Sequence, residues 1–220
     1  MPYITITNIK NGATLYEGDF ASVKECIEDA VLNNASLAYA DLRYKNLSHA
    51  NLDDAMLEHA DFTGSNLIGA NLSEAALNHA SFRNCSLESA CLSFSSLNSA
   101  NFIGSRFGGT YIEGANIDNA RFSEQSCFHL DFITTNSMRN CLYIDHIGAE
   151  YEFSTPPVLL HGLPKYIVLI GRYIKIDHQI MSTDQGLKIS DPLLLRHRHL
   201  IASLIESRNP AQSNAQQHAA

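Results

Sequence analysis

A period of five runs through the chain from Ala35 to Thr134. Read in fives, it goes ASLAY ADLRY KNLSH ANLDD AMLEH and on, without a gap, to QSCFH LDFIT, twenty blocks in all. The central residue is Leu, Phe or Ile in every block but one, where it is Cys127. The first residue is mostly Ala, Ser or Cys, and the rule that it is small is broken by Lys45 near the start and by Gln125 and Leu130 near the end. A helix repeats its apolar face every 3.6 residues and a strand every 2.0, so a sustained period of five excludes both as the main element. What remains is a solenoid, whose short units bury their side chains only by stacking on one another.

The A(D/N)Lxx blocks resemble the pentapeptide-repeat proteins. The resemblance implies an all-β solenoid, a right-handed quadrilateral β-helix with four blocks, hence 20 residues, per coil. The residues carry a separate sign of that coil. Phe62, Phe82, Phe102 and Phe122 lie 20 apart above Leu42, and their first-position partners are Ala40, Ala60, Ala80, Ala100 and Ala120. With coils about 4.8 Å apart, these rings form an internal ladder, and small first-position residues fit a lumen that larger ones would overpack. The pattern fades after Thr134. Leu142 and Ile147 keep the register, with Leu142 extending the Phe column, and a ragged last coil is expected to reach about Ala149, so the repeat region spans 35–149.

Residues 1–34 read as a cap. YITIT and TLYE flank Asn11-Gly12, a type I′ hairpin signal. Ser22 with Glu25 three residues on forms a capping box. Val23, Cys26, Ile27, Ala30 and Val31 then recur at helical spacing up to Asn33-Asn34. An open solenoid end exposes unpaired backbone and needs such a cover. Pro156-Pro157 marks a boundary within a C-terminal strand and helix region at 150–208. There VLLHGLP, KYIVLIG and RYIKIDHQI read as strands, with Gly171-Arg172 as a hairpin loop. Asp191 and Pro192 then open a helix whose apolar side is Leu195, Leu200, Leu204 and Ile205. This β-hairpin plus helix appendage is expected to cap the solenoid or to pair two chains as a homodimer. Residues 209–220 read as a disordered tail.

No run of about 18 apolar residues suggests a membrane span, and the N-terminus lacks the features of a signal peptide. Five cysteines without paired spacing fit a reducing interior. A cytoplasmic protein is expected. No phosphate loop, CxxC pair, HExxH or GxSxG occurs, so the chain is read as non-catalytic, with no cofactor and no metal. Three weaker signals read as surface or structural features: His59 and His79 stacked one coil apart, Asp177-His178 inside a strand, and the basic spot Arg196-His197-Arg198-His199.

Charge says more than any motif. The net charge is −8, of which residues 35–134 carry −6. Let the blocks beginning at Ala35, Ala40, Lys45 and Ala50 define faces one to four, each recurring every 20 residues. Adjacent faces four and one hold Asp53, Asp54, Glu58, Glu74, Glu113, Asp118 and Asp131, with no Lys or Arg. Faces two and three hold Arg43, Lys45, Arg83, Arg106 and Arg121 against four acids. An anionic edge repels nucleic acid and attracts a basic protein groove. The expected function is a protein-binding scaffold. The resemblance adds an alternative, since some pentapeptide-repeat proteins are DNA mimics that act on a type II topoisomerase (DNA gyrase or topoisomerase IV) and protect it from quinolones. A small enzyme in the C-terminal region is the third reading.

Overall fold

The computed structural model describes residues 1–184, 192 and 194–208, and the chain divides after Ser154 into two compact units. The first unit opens with an antiparallel hairpin, β1 (Tyr3–Thr7) and β2 (Thr14–Asp19), whose register shifts after Ile6. A type I′ loop needs positive φ at both Asn11 and Gly12, but of the two only Gly12 is left-handed. The connection is longer than two residues. Asn8 N–H donates to Ala13 O, and the Asn8 and Asn11 side chains accept from the N–H groups of Lys10 and Ala13. Asparagine side chains thus satisfy a wide loop in place of the expected tight turn.

Helix α1 (Val23–Leu32) starts at Ser22, whose hydroxyl accepts from Glu25 N–H at 3.2 Å. The Glu25 carboxylate reaches past the cap residue to Ala21 N–H at 2.9 Å. The helix buries Cys26, Ile27 and Ala30 and ends at Asn33, with Asn34 left-handed. This segment satisfies backbone of the first coil. Asp41 N–H donates to Thr7 O, Ile9 N–H donates to Tyr39 O, and Asn51 N–H donates to the Glu28 carboxylate at 2.8 Å. In the next coil the equivalent N–H, that of Asn71, donates to Ala50 O. Glu28 therefore stands in for a coil that does not exist.

From there the chain winds with isolated parallel bridges 20 residues apart, such as Asp41↔Asp61 and Asn46↔Asn66. The centre-residue N–H groups from Leu37 to Phe102 bond to the coil above, as Leu42 does to Asp61 O, and most corners close by a turn such as Ala40 N–H to Leu37 O. Lys45 N–H donates to Ser65 Oγ instead. All twenty centre residues from Leu37 to Phe132 are buried. Every fifth residue from Asn34 to Asn119 has positive φ, as the third position of a type II turn demands. Inside the tube, small first-position polar groups bond downward: Ser65 Oγ donates to Leu42 O at 2.6 Å and Cys85 Sγ to Phe62 O at 2.9 Å. Burial pushes the Cys85 thiol up to about 12.

The Phe62, Phe82, Phe102 and Phe122 rings stack at 5.0, 5.1 and 5.4 Å. Above Phe122 the stack ends edge-on, with Phe132 at 82° to Phe122 and Phe153 at 88° to Phe132. A short helix, α2 (Glu124–Cys127), follows β3 (Arg121–Ser123), and a 3-10 turn spans Phe132–Thr134. Asn136 still ladders onto Asn116, but by Ser137 one extra residue has entered, so bridges now join residues 21 apart: Asn116↔Ser137 and, between β3 and β4 (Cys141–Ile144), Arg121↔Leu142. Tyr143, opposite Phe122, takes the centre position and is buried, whereas Leu142 is half-exposed. The expectation that Leu142 extends the Phe column is therefore wrong by one residue, and Ile147 is exposed. Cys141 repeats the inward first-position bond, to Ile117 O at 3.1 Å. The coil stops at β4, because β5 (Glu150–Phe153) turns back antiparallel along its edge. Residues 150–153, assigned by sequence to the C-terminal region, thus pair within the first unit.

The second unit is a four-stranded antiparallel meander, β6 (Val158–Leu160), β7 (Ile167–Ile170), β8 (Tyr173–Ile176) and β9 (Gln179–Ser182). Gly171-Arg172 forms the two-residue loop between β7 and β8. Asp177-His178, read as strand, is instead the loop between β8 and β9, with Asp177 left-handed. A 3-10 turn at Leu195–His197 precedes helix α3 (Arg198–Arg208). Leu194 and Ile201 enter the core with Ile167, Leu169, Ile174 and Ile176, and Leu204 and Ile205 pack against it. Leu195 and Leu200, expected on the apolar side, are 48% and 55% exposed. The α-helix begins at Arg198, after a tighter 3-10 turn, and that changes the phase of its face. Asp191 and the tail from 209 lie outside the described residues.

Candidate protein-docking face

With first and centre residues inside, the second, fourth and fifth residues of each block decorate four outer faces. On faces four and one, Asp53, Asp54, Glu74 and Glu113 are exposed and Glu58 is half-buried. Among the described residues no ion pair involves any of these five. Faces two and three differ, because three of their five basic residues are ion-paired. Arg43 bonds Asp41 at 2.8 Å, Arg106 lies 3.5 Å from Glu88, and Arg121 bonds Glu150 at 2.5 Å.

Two of the seven acids assigned to the anionic edge have structural roles. Asp118 is buried and accepts from Arg139 N–H at 2.7 Å, from its guanidinium at 2.6 and 2.9 Å, and from the Ser137 hydroxyl. Burial opposes its charge, but the Ser137 and Arg139 bonds outweigh it and hold the carboxyl below its ordinary value. Asp131 caps the 3-10 turn through Ile133 N–H at 3.1 Å. Arg139 lies beyond the regular repeats, so charge sorting over residues 35–134 alone missed this pairing.

Sequence reading also missed two residues. Phe94 and Tyr111, in adjacent coils of face four, are 60% and 64% exposed. Cys91 bridges to Tyr111, and Phe94 N–H donates to Glu113 O, so both aromatics lie in the coils that follow Glu74 and carry Glu113. The Phe94 ring covers Gly114, where a Cβ would come within 2.4 Å of it. The signal was present: most second and fifth residues are small or polar, and a large aromatic there has no lumen to enter.

The other sequence candidates have partners of their own. The Tyr39, His59 and His79 rings stack at 4.5 and 4.6 Å, with Lys10 Nζ 3.8 Å from the Tyr39 centroid. Burial, then the neighbouring His79 and Lys10, lowers the His59 pKa. No group of three His, Cys, Asp or Glu among the described residues is placed to hold a metal. Asp177 pairs with Lys165 at 3.0 Å. No helix among the described residues is long and apolar enough to cross a membrane.

The family model for pentapeptide repeats matches residues 30–67, 65–104 and 95–124, in eight copies. The repeat segment of this chain belongs to the pentapeptide-repeat family, whose members fold as right-handed quadrilateral β-helices. No curated protein matches the chain. Of the similar solved structures, HetL and a thylakoid-lumen protein are themselves pentapeptide-repeat proteins. HetL, involved in heterocyst differentiation regulation in the cyanobacterium Nostoc sp. strain PCC 7120, is 22% identical over 41% of this chain and 56% of its own, with a TM-score of 0.28. QnrB1, a plasmid-mediated fluoroquinolone resistance protein, is 17% identical over 50% and 53%, with a TM-score of 0.43. A thylakoid-lumen protein of Arabidopsis thaliana is 29% identical over 38% and 66%, with a TM-score of 0.20. The chain spans less than two thirds of the length of each.

Proposed function

We propose that this protein is a non-catalytic scaffold whose solenoid binds a basic protein surface through face four, with face one as the edge of the contact. The observation that carries this reading is an exposed aromatic pair, Phe94 and Tyr111, on a face where Asp53, Asp54, Glu74 and Glu113 have no ion-pair partner among the described residues. Aromatic anchors supply most of the energy at protein interfaces, while unpaired charge steers encounter and selects the partner. Residues 1–154 hold 8 Lys and Arg against 19 Asp and Glu, a net −11, so direct contact with nucleic acid is disfavoured. The five cysteines are free, and a cytoplasmic setting is part of the proposal.

A type II topoisomerase is one partner with the right chemistry, since its duplex channel is basic. The test is a gyrase supercoiling assay, with and without quinolone, beside affinity capture from the native host. Wild type should capture a protein that Asp53→Lys/Glu74→Lys/Glu113→Lys does not. Unchanged supercoiling and quinolone sensitivity would remove the topoisomerase, and equal capture by both forms would remove face four.

A further inference from the structure

Basic, partly apolar chemistry of the kind face four would bind occurs in this chain's own second unit. A groove of about 570 Å³ is lined by Gly162, Leu163, Pro164, Pro192, Arg196 and His197. Arg198, His199 and the apolar Leu195 and Leu200, next to the lining residues in sequence, are exposed. Residues 155–220 hold 7 Lys and Arg against 4 Asp and Glu, a net +3, opposite in sign to the −11 of residues 1–154. Lys165 and Arg172 are paired with Asp177 and Asp184, and Lys175 is buried. Among the described residues, the exposed basic side chains of this unit that remain are Arg196 and Arg198.

We propose that this groove receives face four of a second copy of the chain, an inference that rests on face four being a docking surface. Phe94 and Tyr111 meet Leu163, Pro164 and Pro192, while Glu74 and Glu113 meet Arg196 and Arg198. The charge complementarity favours a second copy over other occupants: the −11 of residues 1–154 would repel nucleic acid, and an acidic partner would leave the aromatics of face four uncovered. Because the two surfaces differ, the contact is heterologous. Copies join head to tail and close into a ring or extend as a chain, unlike a two-fold pair.

The experiment is sedimentation velocity of the full chain across a concentration series, from about 0.01 M to 0.5 M salt, over which the screening length falls from roughly 30 Å to below about 8 Å. Wild type should exceed the monomer mass at low salt, grow with concentration and dissociate at high salt. Arg196→Glu/Arg198→Glu and Glu74→Arg/Glu113→Arg should each weaken association by about tenfold or more. An equimolar mixture of the two variants should associate again, because one supplies the acidic face and the other the basic groove; regained mass also shows that both are folded. A wild type that stays monomeric at low salt, a mass that neither variant changes, or a mixture that stays monomeric would overturn the proposal. A monomeric wild type that still captures a partner through face four would sink self-association alone and leave the docking reading standing.

Discussion

The tube of the first unit and the meander of the second reach stability by opposite routes. In the tube every buried side chain touches a near-copy of itself one coil away, as Phe82 does between Phe62 and Phe102 at 5.0 and 5.1 Å. In the meander a single core is shared by unlike elements, with Ile201 of α3 reaching Ile167 and Leu169 of β7. A repeat enforces its own register, because an error at one coil conflicts with the next. A sheet and helix have no such check, so a single 3-10 turn can rotate the helix face.

That comparison yields graded tests. Phe82→Ala should cost roughly 3–5 kcal/mol in chemical denaturation, since the tube cannot collapse around a gap in its ladder. Ile201→Ala should cost about 2–5 kcal/mol, while its neighbour Leu200→Ala should stay within about 0.5 kcal/mol. Equal costs for the pair would restore the helix face expected from sequence. Gly114→Ala places a Cβ against the Phe94 ring at positive φ, and should cost about 1–2 kcal/mol for the left-handed backbone alone. Substituting Gly148, equally left-handed but with open space around its Cβ, should cost less.

The smallest effect is electrostatic. The folded-state pKa of His59 is lowered, so the unfolded chain binds this proton more readily. Stability from His59 is complete above the unfolded value, about 6.5, and falls as pH drops through 6.5 towards the folded pKa. His59→Asn should flatten that slope, as read from thermal melts between pH 7.5 and 5.5. An unchanged slope would show that the stacked His59–His79 pair does not feel its neighbours.

What the sequence made legible follows the same division. The 20-residue coil, the inward centres and the Phe ladder could be read from residues 35–122 because one packing rule repeats there. The left-handed fifth position could have been read too, from Gly64, Gly69, Gly104, Gly109 and Gly114 beside Asn84 and Asn119. The residue inserted by Ser137 left no periodic trace, which is why the period points to Leu142 in a column that Tyr143 occupies. Charge counting found the anionic half of the tube but could not see that Arg139, one coil on, neutralises Asp118. Phe94 and Tyr111 stand out only against the outward second and fifth positions, because the period marks the residues that enter the lumen.

Hydroxyl-radical footprinting of the protein with its captured partner tests the docking claim most directly. Tyr44 is 77% exposed on face two and serves as an internal control for Phe94 and Tyr111. Oxidation of Phe94 and Tyr111 should drop on complex formation while that of Tyr44 is unchanged. Protection of Tyr44 with Phe94 and Tyr111 still fully reactive would place the partner on the other side of the solenoid and contradict the account.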